Sequence, residues 1–163
     1  MKKSLIVSII LVIAWMGFIF YLSSLDNTTS NKDSKGIVEG IVNTIDNVTS
    51  ASNDTKDTHQ TRKYINDANN LFCKCSHAVC YLILSILVFN LIVRLTNKKI
   101  LIYNIYSFSI SLIYACTDEY HQTFVSGRSG QFSDIIVDTI GIIIGLLIVS
   151  LIYKKHKKKV SHV

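Results

Sequence analysis

The sequence predicts an all-α fold, a bundle of four transmembrane helices with both termini cytoplasmic. Three observations carry this: the apolar residues come in four long blocks, the basic residues of the short connections fall on one side of those blocks, and proline is absent throughout. Hydrophobic residues make up 49% of the 163-residue chain, and its mean hydropathy is +0.36, too apolar for an ordinary soluble domain of this size. A soluble bundle would also need a polar face on each helix, and none of the four blocks has one.

Leu5 to Leu22 is an 18-residue run without a charge. Lys2 and Lys3 precede it, as in a signal peptide, but the run is long for one and no small-x-small cleavage site follows Leu22. It reads as an uncleaved first span. Ala78 to Val93 is a second run, interrupted only by Asn90. Ile100 to Cys116 is a third, and Ile135 to Tyr153 a fourth, broken by Asp138 and Thr139. About 17–25 helical residues cross a hydrocarbon core. With their flanks, the spans are residues 5–22, 76–95, 100–117 and 134–153 of a single membrane domain covering 1–163, with a long outer loop at 23–72.

Cutting the chain at these spans puts Lys2, Lys3, Arg94, Lys98, Lys99, Lys154, Lys155, Lys157, Lys158 and Lys159 on one side, with no acidic residue. Basic residues in short loops mark the cytoplasmic face. The basic tail holds the last helix against an anionic leaflet, and nothing else in the chain supports nucleic-acid binding. The four-residue link from Thr96 to Lys99 makes the second and third spans a tight antiparallel pair. In the outer loop, Ile37, Val38, Ile41, Val42, Ile45 and Val48 recur at helical spacing, which predicts a short amphipathic helix. Thr49 to Lys63 reads as a solvated linker, and Tyr64 to Phe72 as a helix leading into the second span.

The outward connection between the last two spans carries Asp118, Glu119, His121, Gln122 and Arg128, and the last span begins with Asp134 and Asp138. Ionisable groups at that depth are costly, so their clustering points to function. Asp118 shares a helix face with His121 and Gln122. Asp134, Asp138, Gly141 and Gly145 share one on the last span, where the glycines permit close helix packing. Lys74, His77 and Tyr81 share a face at the outward end of the second span. Ser133 is placed to cap the last helix. The four cysteines read as small packing residues.

Three chemistries suit these residues. A carboxylate beside a histidine does general acid–base work. Carboxylates with His77 and His121 are donors for a divalent metal. Arginine beside lysine and tyrosine binds an anionic headgroup. The structural alternative is a buried salt-bridge network that fixes the bundle. No cofactor-binding string is present, and neither a cofactor nor a metal is assigned.

Residues 113–145 resemble the VanZ-like family of small polytopic bacterial membrane proteins. The family pattern is D-E-x-x-Q, a phenylalanine two residues on, a Gly-Arg turn, then D-x-x-x-N-x-x-G-x-x-x-G. Asp118, Glu119, Gln122, Phe124, Gly127, Arg128, Asp134, Gly141 and Gly145 match it, as does His121. Trp15 through Ser24 resembles the end of the family's first span, and Lys74, His77 and Tyr81 its K-x-x-H-x-x-x-Y. Asp138 departs from the usual asparagine and Ser126 from a common proline. The founding member is associated with resistance to teicoplanin-type glycopeptides. The resemblance therefore implies a cell-envelope role.

Together these readings predict a multi-pass cell-membrane protein with an extracytoplasmic polar site between the second, third and fourth spans. Its expected partners are membrane lipid and a lipid-linked envelope precursor or an anionic small molecule. Arg128 and Lys74 would bind the anion, with His77, Tyr81, Gln122, Asp134 and Asp138 lining the site. Asp118, Glu119 and His121 would orient the molecule or transfer protons. A membrane hydrolase or transferase acting on a lipid-linked substrate is the alternative, and a structural or partner-binding protein the third.

Overall fold

A computed structural model describes residues 2–25, 36, 40, 58–125 and 130–160. Four helices account for nearly all of them: α1 (Lys2–Ser24), α2 (Thr58–Leu95), α3 (Ile100–Gln122) and α4 (Phe132–Val160). Among the described residues there is no strand. Each helix contains a stretch long and apolar enough to cross a membrane, at Lys3–Ser24, Asp67–Leu95, Ile100–Gln122 and Phe132–Lys158. The all-α architecture and the four spans predicted from the apolar blocks are thus present. The amphipathic helix expected over Ile37 to Val48 lies outside the described residues.

The helices outrun the apolar blocks because nothing in the sequence stops them. No glycine or proline occurs between Thr58 and Leu95, so nothing breaks α2, which runs from Thr58. That makes the last part of the stretch read as linker, Thr58 to Lys63, helical instead. At 1.5 Å per residue α2 is about 57 Å long, well beyond a ~30 Å hydrocarbon core. α4 begins at Phe132, so Ser133 lies within its first turn rather than capping it.

The bundle is built inside out. Ile6, Ile10 and Ile13 of α1, Leu101, Ile105 and Ile113 of α3, and Leu147, Ile148 and Leu151 of α4 are exposed. The inner stripe of α3 is Tyr103, Ser107, Ser111, Ala115, Asp118, Glu119 and Gln122, mostly small or polar. Small inner residues let backbones approach where no water drives the helices together. α2 and α3 each contact all three other helices, α2 the more extensively, while α1 and α4 do not pack on each other among the described residues. Tyr81, Leu84, Val88, Phe89 and Ile92 of α2 pack with Val12 and Ile19 of α1, Tyr103 and Ala115 of α3, and Ile142, Leu146 and Val149 of α4.

The α2–α4 contact depends on two glycines. A Cβ at Gly141 would land on the backbone of Ala78, and one at Gly145 on the Leu82 carbonyl and Ser85 Oγ. The small-residue step predicted as a packing face therefore seats α4 on α2. α1 is tied by the Trp15 indole, which donates to the Cys80 carbonyl at 2.9 Å, and by the Tyr114 hydroxyl, which donates to the Met16 carbonyl at 2.6 Å. At the end carrying Arg94 and the lysine tail, Phe89, Tyr103 and Tyr153 pack edge to face with centroids 5.8–5.9 Å apart. There the Tyr103 hydroxyl accepts from the Lys98 amide, closing the four-residue link.

Candidate functional site

The opposite end of the bundle collects polar side chains from all four helices. From Ile9 onward α1 is apolar until its last turn, where Ser23 and Ser24 appear. Ser23 is fully buried, and its hydroxyl donates to Asp118 Oδ2 at 2.7 Å. One turn along α3, the Gln122 amide reaches Asp118 Oδ2 and Ser23 Oγ, both at 3.4 Å. Asp118, Glu119 and Gln122 are all buried. The second carboxylate oxygen of Asp118 has no hydrogen-bond partner among the described residues.

His121 points to another part of the same end. Its Nε2 lies 3.2 Å from Ser24 Oγ, and its ring stacks on Phe20 with centroids 4.4 Å apart. Although Asp118 and His121 share a helix face by spacing, no hydrogen bond joins them among the described residues.

Glu119 Oε2 accepts the Gln131 backbone N–H at 2.9 Å. This needs the chain to re-enter tightly, and Gly130 permits it: a Cβ there would overlap the Glu119 carbonyl and the Thr123 methyl. At the rim, the Lys74 ammonium donates to Asp134 Oδ1 at 2.5 Å and to Ser133 Oγ at 3.2 Å. The Lys74 and Asp134 side chains are 36% and 28% exposed. The pair fixes the position of a cation that keeps a third N–H donor and access from outside.

Deeper, Asp138 is 1% exposed and Tyr81 is fully buried. Neither carboxylate oxygen of Asp138 is hydrogen-bonded among the described residues. The charges acting on Asp138 are the carboxylates of Glu119, Asp118 and Asp134, and Tyr81 faces Asp118 and Asp138. His77 lies between Lys74 and Tyr81 along α2 and is half-buried.

The structure thus brings together Lys74, Tyr81, Asp118, Glu119, Gln122, Asp134 and Asp138, with His121 alongside. Arg128 and Gly127 lie outside the described residues. Sequence reasoning missed Phe20, Ser23, Ser24 and Gln131 as members of the cluster. The signal for the serines was their abrupt appearance at the end of an apolar run. No disulfide joins Cys73, Cys75, Cys80 and Cys116. Among the described residues no three His, Cys, Asp or Glu side chains are arranged to hold a metal ion.

The VanZ/LLP1 family model matches residues 8–153, which takes in all four helices and every polar side chain just described. No curated protein and no solved structure matches the chain. With the family pattern on α3 and α4 and four helices able to span a bilayer, the chain belongs to the VanZ/LLP1 family and is a multi-pass membrane protein.

Proposed function

We propose that the polar end of this single-domain membrane protein recognises the headgroup of an anionic or lipid-linked cell-envelope molecule, and thereby alters susceptibility to teicoplanin-type glycopeptides. One observation carries the reading. Hydrogen-bonding side chains from four helices gather at one end of a bundle whose outer faces are apolar, a setting in which a lipid-borne headgroup meets a polar cleft from within the bilayer plane. Lys74, held by Asp134 and Ser133 with one N–H to spare, is the cation facing the phosphate. Arg128 of the Gly-Arg turn is assigned as its partner in that role from the sequence pattern alone, and Asp118, Glu119, Gln122 and His121 orient the rest of the headgroup. The charge asymmetry of the chain favours an extracytoplasmic position for this end.

The test is to purify wild type, Lys74→Ala and Arg128→Ala from the same membranes and compare the phosphate-bearing lipids each retains. Both variants are expected to lose at least one species that wild type holds. Identical lipid profiles would remove the anion-binding role.

A second reading is favoured by the burial of Glu119 and Asp138 close to each other, since neighbouring carboxylates in different surroundings can divide acid and base roles. In that case the protein is a membrane hydrolase or transferase for a lipid-linked substrate. Glu119→Gln would then abolish turnover of envelope lipid while lipid retention survives.

A further inference from the structure

The innermost part of the cluster is rich in acceptors that the protein itself leaves unused. Asp138 offers two carboxylate oxygens and Asp118 offers Oδ1, and none of the three has a hydrogen-bond partner among the described residues. Asp138 comes from α4 and Asp118 from α3. The Tyr81 hydroxyl, fully buried on α2, faces both carboxylates, Asp118 first. Three helices therefore bring buried polar atoms to one small region, and both oxygens of Asp138 are unpartnered among the described residues.

Burying such groups without partners is expensive, and for an ionised carboxylate much more so. Their positions are nevertheless fixed. Gly141 and Gly145, on the face of α4 that carries Asp138, seat that helix on the α2 backbone. Ser23 and Gln122 hold the other oxygen of Asp118. Lys74 is committed to Asp134 and Ser133, so it does not serve Asp138. The region lacks the arrangement for a metal ion among the described residues. What fits instead is a compact cation with several N–H donors. A primary ammonium has three, to set against the free oxygens of Asp138 and Asp118.

We propose that Asp138, Asp118 and Tyr81 form a deep subsite for a primary ammonium group on the bound envelope molecule. This rests on the headgroup-binding reading above and names the chemistry of its inner half. Asp138 follows Asp134 by one helical turn, ~6 Å along the axis. A headgroup with a phosphate at Lys74 and an amine at Asp138 therefore needs only a few atoms between them.

The full-length protein, purified in mild detergent, would be exposed to an equimolar mixture of phosphatidylethanolamine and phosphatidylglycerol, and bound lipid counted by native mass spectrometry. Wild type is expected to favour phosphatidylethanolamine about tenfold, the scale of a charge-assisted hydrogen bond. Asp138→Asn keeps the side-chain volume and removes the charge. It should abolish the preference by lowering phosphatidylethanolamine retention to that of phosphatidylglycerol. Tyr81→Phe should reduce it about threefold, and this variant carries the test alone if Asp138→Asn does not fold. Displacement of phosphatidylethanolamine by soluble phosphoethanolamine would show that the subsite also takes free amines. Resistance to displacement would restrict it to lipid-borne ones.

Lack of an amine preference in wild type, or its persistence in both variants, would overturn the subsite. If wild type still retained phosphatidylglycerol in a Lys74-dependent manner, the subsite alone would fall. Retention of neither lipid would remove the headgroup reading with it.

Discussion

Ser23 shows how much of the polar end hangs on single atoms. Its hydroxyl is the closest donor to Asp118 Oδ2, from a residue 95 positions away. Ser23→Ala should leave the buried carboxylate short of a donor and cost ~1–3 kcal/mol, seen as a lower midpoint in thermal unfolding of the detergent-solubilised protein. An unchanged midpoint would mean that Asp118 finds another donor. His121→Ala should have a smaller effect on stability, since it removes a ring stack and one exposed contact with Ser24. At this scale the sequence was informative where partners share a helix and silent where they do not. The Asp118–Gln122 pair follows from helical spacing. Nothing in local periodicity tells that Ser23 meets Asp118, or that His121 turns away toward Phe20. The unpartnered state of Asp138 was also invisible, because spacing shows only that it faces inward.

Among the helices, α2 and α4 set the frame for the site. Gly141→Leu should drive a side chain into the Ala78 backbone and cost about 1–3 kcal/mol or more. Spin labels on the lipid-facing sides of the two helices would register their separation, and an unaltered distance would count against the glycine seat. The existence of all four helices was legible because each apolar block is long and uninterrupted. The start of α2 was not, since loss of hydrophobicity marks the edge of a span and not the end of a helix. Capping-type residues such as Asp54, Thr55, Asp57 and Thr58 are too closely spaced to single out one start, and no proline or glycine lies nearby to do so. The glycine step was read correctly as a packing face, but only the structure identifies α2 as its partner.

The molecule as a whole has two chemically different ends. One carries the carboxylates, Lys74 and the α1 serines. The other carries Arg94, the lysine-bearing link and the basic tail of α4. By the positive-inside rule, the basic end is expected on the cytoplasmic side. In a cysteine-free background, Asn31→Cys should react with a membrane-impermeant maleimide in intact cells, and His156→Cys only after permeabilisation. The reverse pattern would turn the site inward.

The central claim is that the polar end acts on an envelope molecule and does not merely hold the helices together. Glu119→Gln tests it most directly, because the amide keeps the shape of the side chain and can still accept the Gln131 N–H. The measurement is teicoplanin susceptibility of a deletion strain complemented with wild type or Glu119→Gln at matched membrane abundance. The account predicts that wild type shifts susceptibility and the variant does not. A variant as effective as wild type would contradict it and return the cluster to a structural role.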